Sequence, residues 1–335
     1  MRLLPIITFT LLCLCIPHDA CAGHPFTVMT YNVENLFDCR HDSLKDDFDF
    51  LPDAPRRWTH KRYWRKLDAI AEVIAAVSDK SSHVPDLIGL CEVENDSVLY
   101  DLTRRSALRS LDYRYFITHS PDERGIDVAL LYQRGAFRPT RSAEIQIPVS
   151  NAPPTRNILY VEGVILTGDT LHIWVCHLPS RARDARMKRR LRRRCLTRLA
   201  ASLHSLRQNR PNAMMIVMGD FNAETNNNPL HNPLSDYLSD PPLSHANRKN
   251  SIQGTYRYQG RWECIDHIFL SPPLTNNNNP LHTADGKYSI PAFPFLCEPD
   301  RTHGGVKPFR TYQGPVYKGG YSDHFPLLLE LELND

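Results

Sequence analysis

The chain has no C-x-x-C pair among its nine cysteines and, beyond its N-terminus, no apolar run long enough to cross a bilayer. The first absence argues against a zinc site built on cysteine, and the second excludes a later transmembrane helix. No internal repeat is visible, and no linker divides the chain. A strong charge of one sign is missing too. Forty Lys and Arg against 37 Asp and Glu leave +3, which by itself announces no nucleic-acid partner. A hydrophobic content of 41% over 335 residues is enough for the large core of a globular protein.

At the N-terminus Arg2 precedes an apolar stretch from Leu3 to Ile16, and Ala20-Cys21-Ala22 follows as a small-residue cleavage site. This reads as a signal peptide over 1–22, leaving a mature domain over 23–335 that is exported to the periplasm or beyond. Cys21 is an alternative lipidation site, although His18 and Asp19 suit a lipobox poorly. Processing removes Cys13, Cys15 and Cys21, leaving Cys39, Cys91, Cys176, Cys195, Cys264 and Cys297. Cys91 and Cys176 sit within apolar runs and read as small core residues. An oxidising exterior permits disulfides that a domain of this size does not require.

Strand-like runs cover Phe26 to Val33, Asp86 to Val93, Ile126 to Tyr132, Ile158 to Leu166 and Leu171 to Leu178. Three more cover Met214 to Gly219, Cys264 to Leu270 and Phe325 to Leu331. Several are apolar throughout, as strands buried on both faces are. Tyr63, Leu67, Ile70, Ile74 and Val77 recur at helical spacing from about Thr59, and Met187, Leu191, Cys195, Leu199, Leu203 and Leu206 do the same. Strands with intermittent helices point to a layered α/β sandwich.

Polar residues follow six of these strands or border them. They are Asn32 and Glu34 in YNVEN, Glu92 in LCEV, His177 with Ser180 and Arg181 in CHLPSR, Asp220 and Asn222 in GDFN, Asp266 in IDH, and Asp323 with His324 in YSDHFP. Strand alternation would put Asn32 and Glu34 on one face, and Asp220 and Asn222 on one face. A carboxylate beside a carboxamide suits orienting a water and holding a phosphoryl oxygen or a hard metal ion. Alone, each residue has a plain structural reading: Asn32 or Asp220 as a turn former, Glu92 as a solvated carboxylate, His177 or His324 as a hydrogen-bonded structural histidine. Six such strand ends in series are not accounted for by turn chemistry.

In this order the motifs resemble the endonuclease/exonuclease/phosphatase superfamily, which includes pancreatic-type deoxyribonuclease, repair nucleases, sphingomyelinases and inositol polyphosphate phosphatases. The resemblance runs from Tyr31 to Pro326, and YNVENLFD with IGLCEVEN and RGIDVALLY is similar to an exported bacterial endonuclease-like branch. It implies a four-layer α/β sandwich, with two mixed β-sheets packed face to face and helices outside. It also implies catalytic Mg²⁺ or Mn²⁺ held by Glu92, with Asn32, Glu34 and Asp323 beside it. Asp220 and Asn222 would orient water and phosphate, and His324 would be the base, held in its tautomer by Asp266. His177 matches a histidine of the deoxyribonuclease-like members and, as a protonated acid opposite His324, would complete the acid–base pair; Ser180 would contact phosphate. A monomeric nuclease acting on nucleic acid follows. A phospholipid or inositol-phosphate phosphoesterase and a non-catalytic polyanion-binding module are the alternatives.

Further residues carry two readings. Arg124 could reach substrate or pair with Asp122 or Glu123. Trp58, Tyr63 and Trp64 could stack on bases or pack inside. The dense basic run from Arg181 to Arg198 is a polyanion stripe or a solvated helix face, and Arg181, next to the His177 motif, reads as substrate-binding.

Overall fold

The computed structural model describes residues 24–81, 83–149, 153–180, 185–225, 231–244 and 252–334. Residues 1–22, read above as a signal peptide, and Arg181 lie outside them. In chain order the strands begin with β1 (His24–Leu36), β2 (Leu87–Val93), β3 (Arg114–Ile117), β4 (Asp127–Tyr132), β5 (Phe137–Ile145) and β6 (Ile158–Ile165). Next come β7 (Thr170–His177), β8 (Met214–Asp220), β9 (Tyr256–Tyr258), β10 (Arg261–Glu263), β11 (Asp266–Leu270) and β12 (Leu281–Ser289). The set closes with β13 (Cys297–Pro299), β14 (Val306–Pro308), β15 (Tyr312–Gln313), β16 (Val316–Tyr317) and β17 (Leu327–Leu333). The main helices are α1 (His60–Ser81), α2 (Asp96–Tyr100) and α3 (Ala185–Asn209).

Six strands form one sheet in the order β12-β17-β1-β2-β4-β3, and five form the other in the order β11-β8-β7-β6-β5. Both are mixed. β1 and β2 run parallel, as do β7 and β8, and the other neighbours are antiparallel. A parallel pair needs a crossover, and α1 and α3 supply one to each sheet.

Burial separates the layers. Val28, Leu87, Val128 and Leu329 of one sheet pack against Val161, Ile173, Ile216 and Ile268 of the other. The outer face of the six-stranded sheet, through Met29, Tyr31, Ile88 and Leu90, meets Leu67, Ile70 and Ile74 of α1. Trp174, Met215 and Val217 of the five-stranded sheet meet Leu199 and Leu203 of α3. This is the layered α/β sandwich that the patterning implies. Gly89 lets the sheets approach, since a Cβ there would meet Met218 Sδ at 2.9 Å.

All eight apolar runs are strands. β3, β5 and β12 carry no such run, and each lies at a sheet edge. An edge strand is paired on one side only and tolerates polar residues; β5 exposes Arg138, Thr140, Arg141, Ser142 and Glu144. Cys91 and Cys176 are buried, and all six cysteines of the described residues are free. Trp58 is buried and donates Nε1–H to Phe37 O, and Tyr63 packs in the same core, so neither is a base-stacking surface. Trp64 packs against that core beneath the Arg105 guanidinium. No helix among the described residues is long and apolar enough to cross a membrane.

Candidate active site

Topology brings the expected residues together at one end of the sandwich. The parallel strands β1, β2, β7 and β8 deliver Asn32, Glu92, His177 and Asp220 at or near their C-terminal ends. β11 and β17 are antiparallel to their neighbours, so their N-terminal ends lie at the same place. Asp266 opens β11 and pairs in register with Asp220, while His324 stands three residues before β17. The cavity there holds about 440 Å³ and is walled by Glu92, Arg124, His177, Ser180, Asp220, Asn222, Asp323 and His324 among others.

Its backbone is locally forced. Glu34 (φ 51°), Asn35 (φ 58°), Glu92 (φ 66°) and Asn222 (φ 51°) occupy the left-handed region, and the ladders of β1 and β2 shift register there. Non-glycine residues in this conformation concentrate at functional sites, and bulges re-aim side chains. Strand alternation therefore does not carry through either expected pair. Asn32 reaches across the sheets, donating Nδ2–H to Asp220 Oδ2 at 3.1 Å. Glu34 instead gives both oxygens to the 310–312 loop: Arg310 Nε donates to Oε1 at 3.3 Å and Thr311 N to Oε2 at 2.6 Å. Its carboxylate is an anchor for that loop rather than an open metal ligand. Asn222 lies beyond the end of β8, where a turn lets its N–H cap Asp220 Oδ1 at 2.8 Å.

A buried relay runs through the centre. His324 Nδ1 lies 2.7 Å from Asp266 Oδ2, which also accepts from Thr255 Oγ1 at 2.5 Å. On the other side His324 Nε2 is 3.9 Å from Asp220 Oδ2, and His177 Nε2 is 3.6 Å from the same oxygen. Asp266 Oδ1 and His177 Nδ1 are buried and have no hydrogen-bond partner among the described residues. Burial alone would lower His324, but the Asp266, Asp220 and Asp323 carboxylates outweigh it and hold the imidazolium well above the ordinary histidine range. Burial drives His177 well below that range, with Arg156, Arg124 and His324 adding to the effect. These opposite directions favour the proton on His324 and the neutral ring at His177. Burial and the Asp266 carboxylate push Asp220 up to about 7.

Asp220, Asp266 and His324 offer ligand atoms within 4.8 Å of one another. Asp266 and His324 Nδ1 are spent on each other, so this trio acts better as a relay than as an ion cage. Glu92 is better suited to a cation. Asn35 N donates to its Oε2 at 2.9 Å, while Oε1 has no hydrogen-bond donor among the described residues. Asp323 gives one oxygen to Arg310 at 2.8 Å and likewise keeps the other. An all-oxygen donor set in a cavity with surplus carboxylate fits a hard divalent cation.

Arg124 belongs to this rim rather than to its sequence neighbours. Its Nη2 donates to Asn35 Oδ1 at 2.6 Å and stands 3.8 Å from Glu92 Oε2. Sequence reasoning missed Tyr256, whose ring lies 4.9 Å from that of His324, and Tyr258, which is 53% exposed on the cavity wall. It also missed Arg310, which links Glu34 to Asp323. The hairpin β9–β10 is too short to leave a periodic signal, and a lone loop arginine has none.

The family model described as the endonuclease/exonuclease/phosphatase family matches residues 27–333, and the chain belongs to that family. Family membership makes this chain a phosphoester hydrolase. The family generally depends on a divalent metal. A search of curated protein sequences finds no match. Among solved structures, the human Nocturnin catalytic domain with bound sulfate aligns over 92% of this chain and 95% of its own at 20% identity, with a TM-score of 0.57. A mannosyl-6-phosphatase from Bacteroides thetaiotaomicron aligns over 91% and 99% at 17% identity and 0.58. Truncated TDP2 from Caenorhabditis elegans aligns over 92% and 98% at 16% identity and 0.56. Likeness at these identities defines the shared fold.

Proposed function

We propose that this chain is an exported, metal-dependent phosphodiesterase that cleaves nucleic acid. The observation that carries the reading is the buried Asp266–His324 pair facing Asp220, in a cavity rimmed by the Arg124 guanidinium. Hydrolysis of a phosphodiester needs an in-line water, a group to take its proton, and positive charge at the phosphate oxygens.

In this reading Glu92 and Asp323, with Asn32 beside them, would hold Mg²⁺ or Mn²⁺. When bound, the ion supplies Lewis-acid charge to the phosphate. His324 donates Nε2–H to a non-bridging oxygen, and Asp266 keeps Nδ1 protonated and the ring fixed. Asp220, poised near neutrality, accepts the proton of the attacking water while Asn32 and the Asn222 N–H hold its carboxylate in place. The P–O bond to the leaving oxygen breaks, and solvent protonates that oxygen. Arg124 and Ser180 meet the phosphate from the rim. Tyr256 and Tyr258 favour a nucleoside over a lipid or inositol headgroup, because aromatic faces stack on bases.

The test is a panel of plasmid DNA, RNA, sphingomyelin, an inositol phosphate, a sugar 6-phosphate and bis(p-nitrophenyl) phosphate, each with Mg²⁺, Mn²⁺ or chelator. Nucleic acid and the aryl diester are expected to be cleaved, with chelator and His324→Ala each abolishing turnover. Cleavage of a monoester alone would overturn the reading. Export predicts that protein recovered outside the cytoplasm begins at Gly23, which intact-mass measurement checks.

A further inference from the structure

Helix α3 is built in a way that helix energetics do not explain. Its 25 residues contain no Asp or Glu, and its N-terminal half carries Arg186, Lys188, Arg189, Arg190, Arg192, Arg193 and Arg194. Cations at a helix N-terminus oppose the macrodipole. The series Arg186, Arg190, Arg194 and Arg198 also places like charges four residues apart, which destabilises a helix. Cys195, Leu196, Leu199 and Leu203 hold the opposite face in the core, so packing has to offset both penalties.

Arg192 has a structural task, since its Nη1 donates to Pro179 O at 2.8 Å and ties the helix to the loop that carries Ser180. The outward arginines do not. Arg190, Arg193, Arg194 and Arg198, with Thr197 and Pro148, line a groove of about 460 Å³. Among the described residues no carboxylate pairs with any of the four, and the one hydrogen bond their guanidinium groups make is Arg198 Nε to Gln146 O at 3.4 Å.

We infer that this groove is a second, non-catalytic site that binds the phosphate backbone of the nucleic acid whose cleavage is proposed above; its choice of ligand rests on that reading. Guanidinium groups match phosphate oxygens in a planar, bidentate way. Arg186 to Arg198 spans about 18 Å of helix, against one duplex charge per roughly 1.7 Å of its axis. An anionic membrane is the weaker fit. Among the described residues none of the large exposed hydrophobic side chains lies on α3, so the helix offers no apolar anchor for a bilayer. Because α3 begins just beyond the loop of Ser180, the groove would hold flanking phosphates while the cavity takes the scissile one.

The experiment compares the mature protein with R190Q/R193Q/R194Q/R198Q. Readouts are fluorescence anisotropy on a hydrolysis-resistant phosphorothioate duplex across a salt series, and turnover of bis(p-nitrophenyl) phosphate. The variant is expected to bind duplex at least about tenfold more weakly, with a log K against log salt slope shallower by about 3 to 4. Turnover of the small diester and the melting temperature should hold. Equal affinity and slope in the two proteins would overturn the inference. So would wild-type protein that binds phosphatidylglycerol vesicles but not duplex. If the wild type binds duplex through these arginines yet cleaves neither DNA nor the aryl diester, the catalytic reading fails while the groove stands.

Discussion

At the residue scale the site is governed by buried charge. Three carboxylates outweigh the burial of His324 and raise it well above the ordinary histidine range, and Asp266 is the nearest of them. Asp266→Asn keeps the shape and removes the charge. Its kcat should fall by about 10²-fold or more, and the high-pH limb of the activity profile should move to lower pH, as His324 loses its proton more easily. A pH–rate profile with that limb unmoved would rule out His324 as the proton-bearing group. Glu94 makes a separate prediction. Burial, then Asp38, Asp47 and Asp42, raise its carboxyl to about 8. A raised acid stabilises the fold fully below its unfolded value near 4.5 and loses that contribution as pH climbs to about 8. Glu94→Gln should therefore raise the melting temperature at pH 8 relative to wild type and change it little at pH 5, which thermal scans at both values check.

Elements matter through where they stop. The β7–β8 pairing sets Asp220 beside His177, and it depends on Gly219 at φ 132°, where a Cβ would fall 1.9 Å from Cys176 O. Gly219→Ala cannot be accommodated without parting two central strands. Several kcal/mol of destabilisation and loss of soluble protein are expected, measured by chemical denaturation of whatever folds. Leu199, fully buried between α3 and the five-stranded sheet, should cost about 2–5 kcal/mol as Leu199→Ala while leaving the catalytic groups in place.

For the whole molecule, the site exists only while two sheets are held together, since its members come from both. A cation held by Glu92 should couple to global stability. Mg²⁺ or Mn²⁺ is expected to raise the melting temperature of wild type in a concentration-dependent way, and Glu92→Ala should largely abolish the shift. An equal shift in both proteins would place the cation elsewhere.

Much of this was legible in the residues. Apolar runs marked every strand buried on both faces, and helical spacing marked α1 and α3, because burial on a fixed face leaves a period in the chain. Edge strands β3, β5 and β12 left none, since one side faces water or loop. Asn32, Glu92, His177, Asp220, Asp266 and His324 were visible as polar residues at strand ends. What each does was not, because a side chain's charge state and partners depend on neighbours distant in sequence. Glu34 was drawn off by Arg310, 276 residues away, and left-handed turns replaced the alternation expected at Asn222. The sequence by itself determined which segments would be strands and helices, since local periodicity and burial are written residue by residue. Tertiary structure alone decided that parallel C-terminal ends and antiparallel N-terminal ends meet at one point. Only that convergence sets carboxylates around a buried histidine and raises its affinity for a proton.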